Sequence, residues 1–230
     1  MIEKAKQLFS KLNLEQNKAT MIKYISYLLL ALIIFALFSY TTHKMKLNNA
    51  NCDNLSKIYS SFPKLSSFNP NDAAYKYLLR DYYIKTAYNC CCGGQFKNDW
   101  VNECALKTCI AQGARVLDFE IYSVNDKPVI ATSSVDNFHT KEMYNKVAFE
   151  DALQIINNYA FSGGSCPCPN DPLILHFRVS SNNKKIYTDM ANTIYSTIES
   201  RLLGKEYSYE YTGHNLGAVP LKEFLGKVII

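Results

Sequence analysis

Apolar residues are sparse and spaced near helical intervals at the start of the chain, at Ile2, Ala5, Phe9 and Leu12, and then become continuous. From Tyr24 to Tyr40, "YISYLLLALIIFALFSY", 17 residues pass without a charge between Lys23 and "HKMK" at His43–Lys46. With Met21, Ile22 and the threonines that follow, the run reaches the roughly 20 residues needed to cross about 30 Å of hydrocarbon. Residues 21–42 are therefore expected to form a single transmembrane helix, with tyrosines at both interfaces. Residues 1–20 are expected to be a short cytoplasmic or surface-lying amphipathic segment. A cleaved signal peptide fits less well, because the polar segment ahead is long and no small-x-small cleavage pattern follows. Lys4, Lys6, Lys11, Lys18 and Lys23 precede the span against Lys44 and Lys46 just after it, which places the N-terminus on the cytoplasmic side.

Residues 43–72 are rich in Asn and Ser and carry Pro63 and Pro70, the composition of a stalk or wrapping arm. Beyond them, over 73–230, a folded domain is expected. "AAYKYLLRDYY" reads as a short lead-in helix and "YYIKTAY", Tyr82–Tyr88, as a strand. "DWVNECALKTCIAQ" reads as a helix capped by Asn98 or Asp99 and stopped by Gly113. "RVLDFEIYS", Arg115–Ser123, the turn "NDK" and "PVIATSS", Pro128–Ser134, read as two strands. "VAFEDALQIINNYAF" sets Phe149, Leu153, Ile156 and Ala160 on one helical face. "PLILHFRVSS", Pro172–Ser181, is a strand, Ile186, Met190, Ile194 and Ile198 mark another helix, and "GKVII" is a closing strand. This alternation predicts an α/β fold with a parallel sheet and helical crossovers, in which chemistry sits where strands end.

The net charge of +5 is spread over lysines mixed with acids, so no nucleic-acid arm is expected. All eight cysteines, at 52, 90, 91, 92, 104, 109, 166 and 168, lie beyond the apolar run. With the inferred orientation they occupy an oxidising compartment, where an even count favours disulfides. Zinc is the rival use of "CCC" and "CPC", but no C-x-x-C pair is present and adjacent cysteines make poor tetrahedral ligands.

The strand ends, taken in order from about Tyr82 to Ile230, resemble the phosphatidylinositol-specific phospholipase C X-domain, half of a TIM-like barrel. "TAYNCC" stands in register with the family's Ser-His-Asn-Thr-Tyr, and "GARVLDFE", Gly113–Glu120, with Gly-x-Arg-x-x-Glu-x-Asp. "PVIATSS" occupies the Pro-x-x-x-His-Gly strand, "PLILHFR" the Pro-x-Ile-Leu-x-x-Glu strand, and "PLKEFLGKVII" resembles the closing Leu-x-Gly-Lys-Ile-Leu. The wording "AYNCC…LDFEIYS" is most similar to X-domain-like proteins of large nucleocytoplasmic DNA viruses. The resemblance implies a partial PLC-like barrel, and an enzyme with two histidines as base and acid and an Asn with three carboxylates around calcium.

Carried across, the two histidine positions hold Tyr88 and Thr132, neither of which exchanges protons readily near neutral pH. Of the metal positions, Asn89 is kept, Asp118 and Glu120 are carboxylates with exchanged lengths, and Arg178 replaces the last carboxylate. Two readings remain for the acids: a calcium site on Asn89, Asp118 and Glu120, or an ion pair with Arg178. The second is preferred, since an unpaired buried charge is costly. None of the four histidines matches a family position; His176 is expected to be structural and His139 to lie on a surface loop. In this frame one bridge is expected from Cys90, Cys91 or Cys92 to Cys104 or Cys109, and another using Cys166 or Cys168.

The reading is a membrane-anchored, catalytically degenerate pseudoenzyme with no cofactor, calcium being disfavoured. Its partners are the membrane and, by the viral resemblance, capsid or other virion proteins, in a virion membrane or one derived from host endoplasmic reticulum. The alternatives are an active phosphoinositide or GPI phosphodiesterase with non-standard residues and a non-hydrolysing head-group binder. A full barrel takes roughly 200–250 residues, so either the product is longer or a partner covers the open sheet edge.

Overall fold

The computed structural model describes residues 2–67, 69, 71–72, 76–134, 141–208, 210, 213 and 215–230, and side chains from residue 16 onward. The chain forms two compact units, Met1–Lys46 and Leu47–Ile230.

The first unit is helical and belongs to α1 (Ile2–Ser60). Every side chain from Met21 to Tyr40 is exposed, and the helix is long and apolar enough to cross a membrane. Its hydroxyls do not interrupt that character. Thr41 and Thr42 donate to the Phe38 carbonyl at 2.9 and 3.0 Å, so both threonine hydroxyl protons are paired within the helix.

The second unit is built on a six-stranded sheet, β1 (Thr86–Ala87), β2 (Val116–Val124), β3 (Lys127–Ile130), β4 (Val147–Ala148), β5 (Leu173–Val179) and β6 (Val228–Ile229). The order is β4-β3-β2-β5-β6, with β1 pairing the first residues of β2. β1, β5 and β6 join in parallel, but β3 is antiparallel to β2 and β4 to β3. The sheet is mixed, which corrects the all-parallel expectation. The cause lies in the turn: Asn125 and Asp126 both have positive φ, 53° and 59°, a two-residue hairpin that returns the chain antiparallel without a crossover. The sheet does not close on itself, so the barrel is partial.

Strand alternation divides the two faces of β2 and β5. Leu117, Phe119 and Ile121, with Leu173 and Leu175, face the core, where Phe177 meets Phe119 and Phe149 at 5.8 and 5.2 Å between ring centroids. That core is covered by α2 (Glu103–Ala111), α3 (Phe149–Tyr159) and α4 (Lys185–Ile198), which bury Leu106 and Ile110, Leu153 and Ile156, and Ile186 and Met190. Asp118, Glu120 and Tyr122 of β2, with His176 and Arg178 of β5, lie on the other face.

Four further expectations are corrected. Residues 47–60 continue as helix rather than forming an irregular stalk. Their packing stripe is polar: Asn51 donates to Asp99 (2.9 Å), Asn48 accepts from Asn102 (2.7 Å) and the Tyr59 carbonyl accepts from Gln112 (3.1 Å). The N-cap of α2 is Asn102, whose side chain accepts from Cys104 N–H. Asp99 instead organises the preceding loop, accepting from the N–H groups of Gln95 and Trp100. The expected lead-in helix contributes only a short 3-10 turn, Leu79–Asp81, among the described residues, and the strand expected over Tyr82–Tyr88 is only Thr86–Ala87. Ala73, Ala74 and Tyr75 lie outside the described residues, as does His139.

Candidate functional site

The polar face of the sheet is completed by the turn after β1. Asn89 adopts the left-handed conformation, φ 45°, which Asn tolerates better than other residues with side chains. This aims its backbone N–H at Asp118 Oδ1, 3.0 Å away, while Cys90 N–H donates to the Asp118 carbonyl at 3.0 Å. The next residues press against α1. A Cβ on Gly94 would lie 2.7 Å from Asn51 Nδ2 of α1, besides 2.2 Å from Asp99 Oδ2, and one on Gly93 3.1 Å from Leu55 Cδ1. The cysteine run is followed by two glycines because the helix passes there.

In parallel register Asp118 stands opposite His176 and Glu120 opposite Arg178. The Arg178 guanidinium occupies the centre of the cluster. Its Nε donates to Asp118 Oδ2 at 3.1 Å, and its Nη2 donates to Asp118 Oδ1 at 3.0 Å and to Asn89 Oδ1 at 2.7 Å. Nη1 lies 3.7 Å from Glu120 Oε2, and Glu120 Oε1 accepts from the Tyr122 hydroxyl at 2.5 Å. Tyr88, exposed, covers the guanidinium with its ring, 4.6 Å from centroid to Cζ, and meets Phe96 edge-on at 5.8 Å.

Burial alone would raise the Asp118 pKa. The hydrogen bonds from Arg178, the Asn89 N–H and His176 overcome that and hold it below its ordinary value. His176 Nδ1 lies 2.7 Å from Asp118 Oδ2, with the His176 side chain 61% exposed and that of Asp118 only 6%. His176 shares a face with Arg178 and lies at the surface of the open sheet. Its contact with Asp118 was not anticipated from the sequence; the signal was the i, i+2 spacing of His176 and Arg178 opposite Asp118 and Glu120.

Calcium requires several oxygen ligands free to approach one point. Here the oxygens of Asn89 and Asp118 already accept from a guanidinium whose own positive charge fills that point, so the arrangement does not fit the ion. Among the described residues no group of three or more His, Cys, Asp and Glu side chains is placed to hold a metal. Thr132 is buried, its hydroxyl donating at 2.9 Å to the carbonyl of Phe96, the residue whose ring meets Tyr88. Tyr88, Asn89, Asp118, Glu120 and Arg178 are brought together; Thr132 is not.

The cysteines are used differently from the expected pairing. Cys104 is bridged to Cys52 on α1, not to the Cys90–Cys92 run. Cys90, Cys91, Cys92, Cys109, Cys166 and Cys168 are free thiols. Cys90 and Cys91 are core residues, and Cys92 donates to the Gln95 carbonyl at 3.3 Å. Cys52 lies in residues 43–72, whose composition reads as a stalk and so points to no partner for it.

The family model of the phosphatidylinositol-specific phospholipase C X domain matches residues 75–230. Among solved structures, L. pealei PLC21 aligns over 67% of this chain at 20% identity with a TM-score of 0.54. S. officinalis PLC21 aligns over 67% at 21% identity, also with a TM-score of 0.54. In each case the alignment spans 18% of the relative's own chain, and the likeness is one of fold. No curated protein matches the chain.

Proposed function

Because the chain belongs to the phosphatidylinositol-specific phospholipase C X-domain family, we propose that it is a membrane-anchored member whose catalytic centre has been converted into a structural cluster. The observation that carries the reading is Arg178, which engages Asn89 and Asp118 by hydrogen bonds and faces Glu120. With Tyr88 over the guanidinium and Thr132 bonded to the Phe96 carbonyl, neither family histidine position carries an imidazole to serve as base or acid. The domain then serves as an interaction module at its membrane, with proteins of a larger assembly as its partners and the lysine-rich N-terminus on the cytoplasmic side.

A second reading, hydrolysis by non-standard residues, is favoured by the pair of buried Asp118 and exposed His176. A carboxylate on Nδ1 is the arrangement that orients an imidazole base. The full chain in detergent, titrated with calcium and assayed on phosphatidylinositol micelles, separates the two. The proposal expects no calcium heat and no turnover in the native chain. Turnover that His176→Ala abolishes would instead establish the second reading.

A further inference from the structure

Cys166 and Cys168 take no part in the cluster around Arg178. They flank Pro167 in the loop between α3 and β5, and both are buried. Their Sγ atoms lie 3.9 Å apart, in contact but well beyond the ~2.05 Å of a disulfide. Arg115 fixes a positive charge beside them, its Nη1 3.5 Å from Cys166 Sγ. The same guanidinium donates to the carbonyls of Pro172 (3.0 Å), Ala160 (2.8 Å) and Asp171. Held by three carbonyls, it cannot swing away from the sulfur.

We propose that Cys166 and Cys168 form a reversible dithiol–disulfide couple that exchanges with low-molecular-weight disulfides, Cys166 attacking and Cys168 resolving. The hydrogen bond from Cys168, aided by Arg115, outweighs burial and lowers the Cys166 thiol pKa; the same contact, with burial, raises that of Cys168. With the guanidinium 3.5 Å from its sulfur, Cys166 is the thiol favoured as thiolate. In the first step Cys166 sulfur bonds to one sulfur of the incoming disulfide, and the other leaves as a thiolate. In the second, Cys168 loses its proton and attacks Cys166 sulfur, expelling the second small thiol. The protein dithiol is oxidised, the small disulfide is reduced to two thiols, and added thiol reverses both steps.

Each thiol lines a different cavity, Cys168 one of about 180 Å³ beside Arg115 and Tyr82. Cys166 lines a surface cavity of about 390 Å³ with Lys107, Tyr159, Gly163 and Gly164, and nothing lies within 4 Å of where a Gly163 Cβ would sit. Of the other thiols, three are poorer nucleophiles: burial pushes Cys90 and Cys92 up, and Cys109 up to about 11. Oxidation removes the negative charge beside Arg115, the residue that ties the start of β2 to the end of α3 and the start of β5.

The test uses the full chain, purified with its Cys52–Cys104 bridge intact and equilibrated with mixtures of reduced and oxidised glutathione. After acid quench and alkylation, the thiols are mapped by peptide mass spectrometry. The expected result is one additional bridge, Cys166–Cys168, with no retained glutathione and full reversal by reduced glutathione. Cys168→Ser should retain one glutathione on Cys166, and Cys166→Ser should slow reaction at this loop at least tenfold. The proposal is overturned if Cys166 and Cys168 are both recovered as alkylated thiols under excess oxidised glutathione. It is equally overturned if either bridges to another cysteine, or if Cys168→Ser gains glutathione no faster at Cys166 than at Cys92 or Cys109.

Discussion

Arg178 presents its donors on a rigid plane, and they meet Asn89, Asp118 and Glu120 in a setting where the Asp118 side chain is 6% exposed and that of Glu120 7%. Removing one partner of such a buried pair leaves carboxylates uncompensated, typically at a cost of about 3–5 kcal/mol. Arg178→Ala is therefore expected to lose roughly 3 kcal/mol of stability in urea denaturation at pH 7. The pH dependence carries the sign of the interaction. In the native chain the depressed Asp118 pKa contributes stability that is present above the unfolded value of about 3.9 and is lost as pH falls through the folded value. In the variant burial is no longer opposed by the guanidinium, the carboxyl pKa rises, and acidification relieves the buried charge. The stability gap should narrow between pH 7 and pH 4.5; a gap that stays constant would remove Arg178 as the partner. The Arg178 pairing was legible in the sequence because alternating Asp118 and Glu120 need a cation on the same face. The burial of Thr132 was not, since a strand-end match fixes the backbone position but not whether a loop such as 94–96 closes over the side chain.

Among the elements, the C-terminal turns of α1 are the least expected part of the second unit. The polar stripe of Asn48 and Asn51 gives no apolar periodicity, so the pattern of residues 47–60 reads as a linker although it packs as a helix. The bridge from Cys52 to Cys104, 52 residues away, ties this segment to α2. Closing a loop of that length corresponds to about 4 kcal/mol in the chain-entropy description. Cys52→Ser is expected to lower unfolding stability by roughly that amount and to raise hydrogen exchange in residues 47–60 before the rest of the unit. Unchanged protection there would mean that the Asn51–Asp99 and Asn48–Asn102 bonds suffice. The helices α2, α3 and α4 and strands β2 and β5 were readable because each carries an apolar period of its own. The antiparallel β2–β3 pairing was written in Asn125-Asp126, the only connection that short in the predicted sheet; the strand–helix alternation around it pointed to crossovers.

For the whole molecule, an apolar helix able to span a membrane precedes a partial barrel of the X-domain family. The chain spans 18% of the length of each PLC21 relative, so the activity of those longer proteins is not transferred with the fold. The central claim, proposed above, is that the family's catalytic and metal positions carry Tyr88, Thr132 and Arg178, with the Arg178 guanidinium paired to Asn89 and Asp118 where a metal would sit. The most direct measurement is phosphatidylinositol hydrolysis by the full chain in detergent with calcium, beside the triple variant Tyr88→His, Thr132→His and Arg178→Glu. The account predicts that the native chain is silent and that the triple variant, folded by circular dichroism, gains calcium-dependent turnover. Turnover by the native chain at a rate the triple substitution does not raise would contradict it.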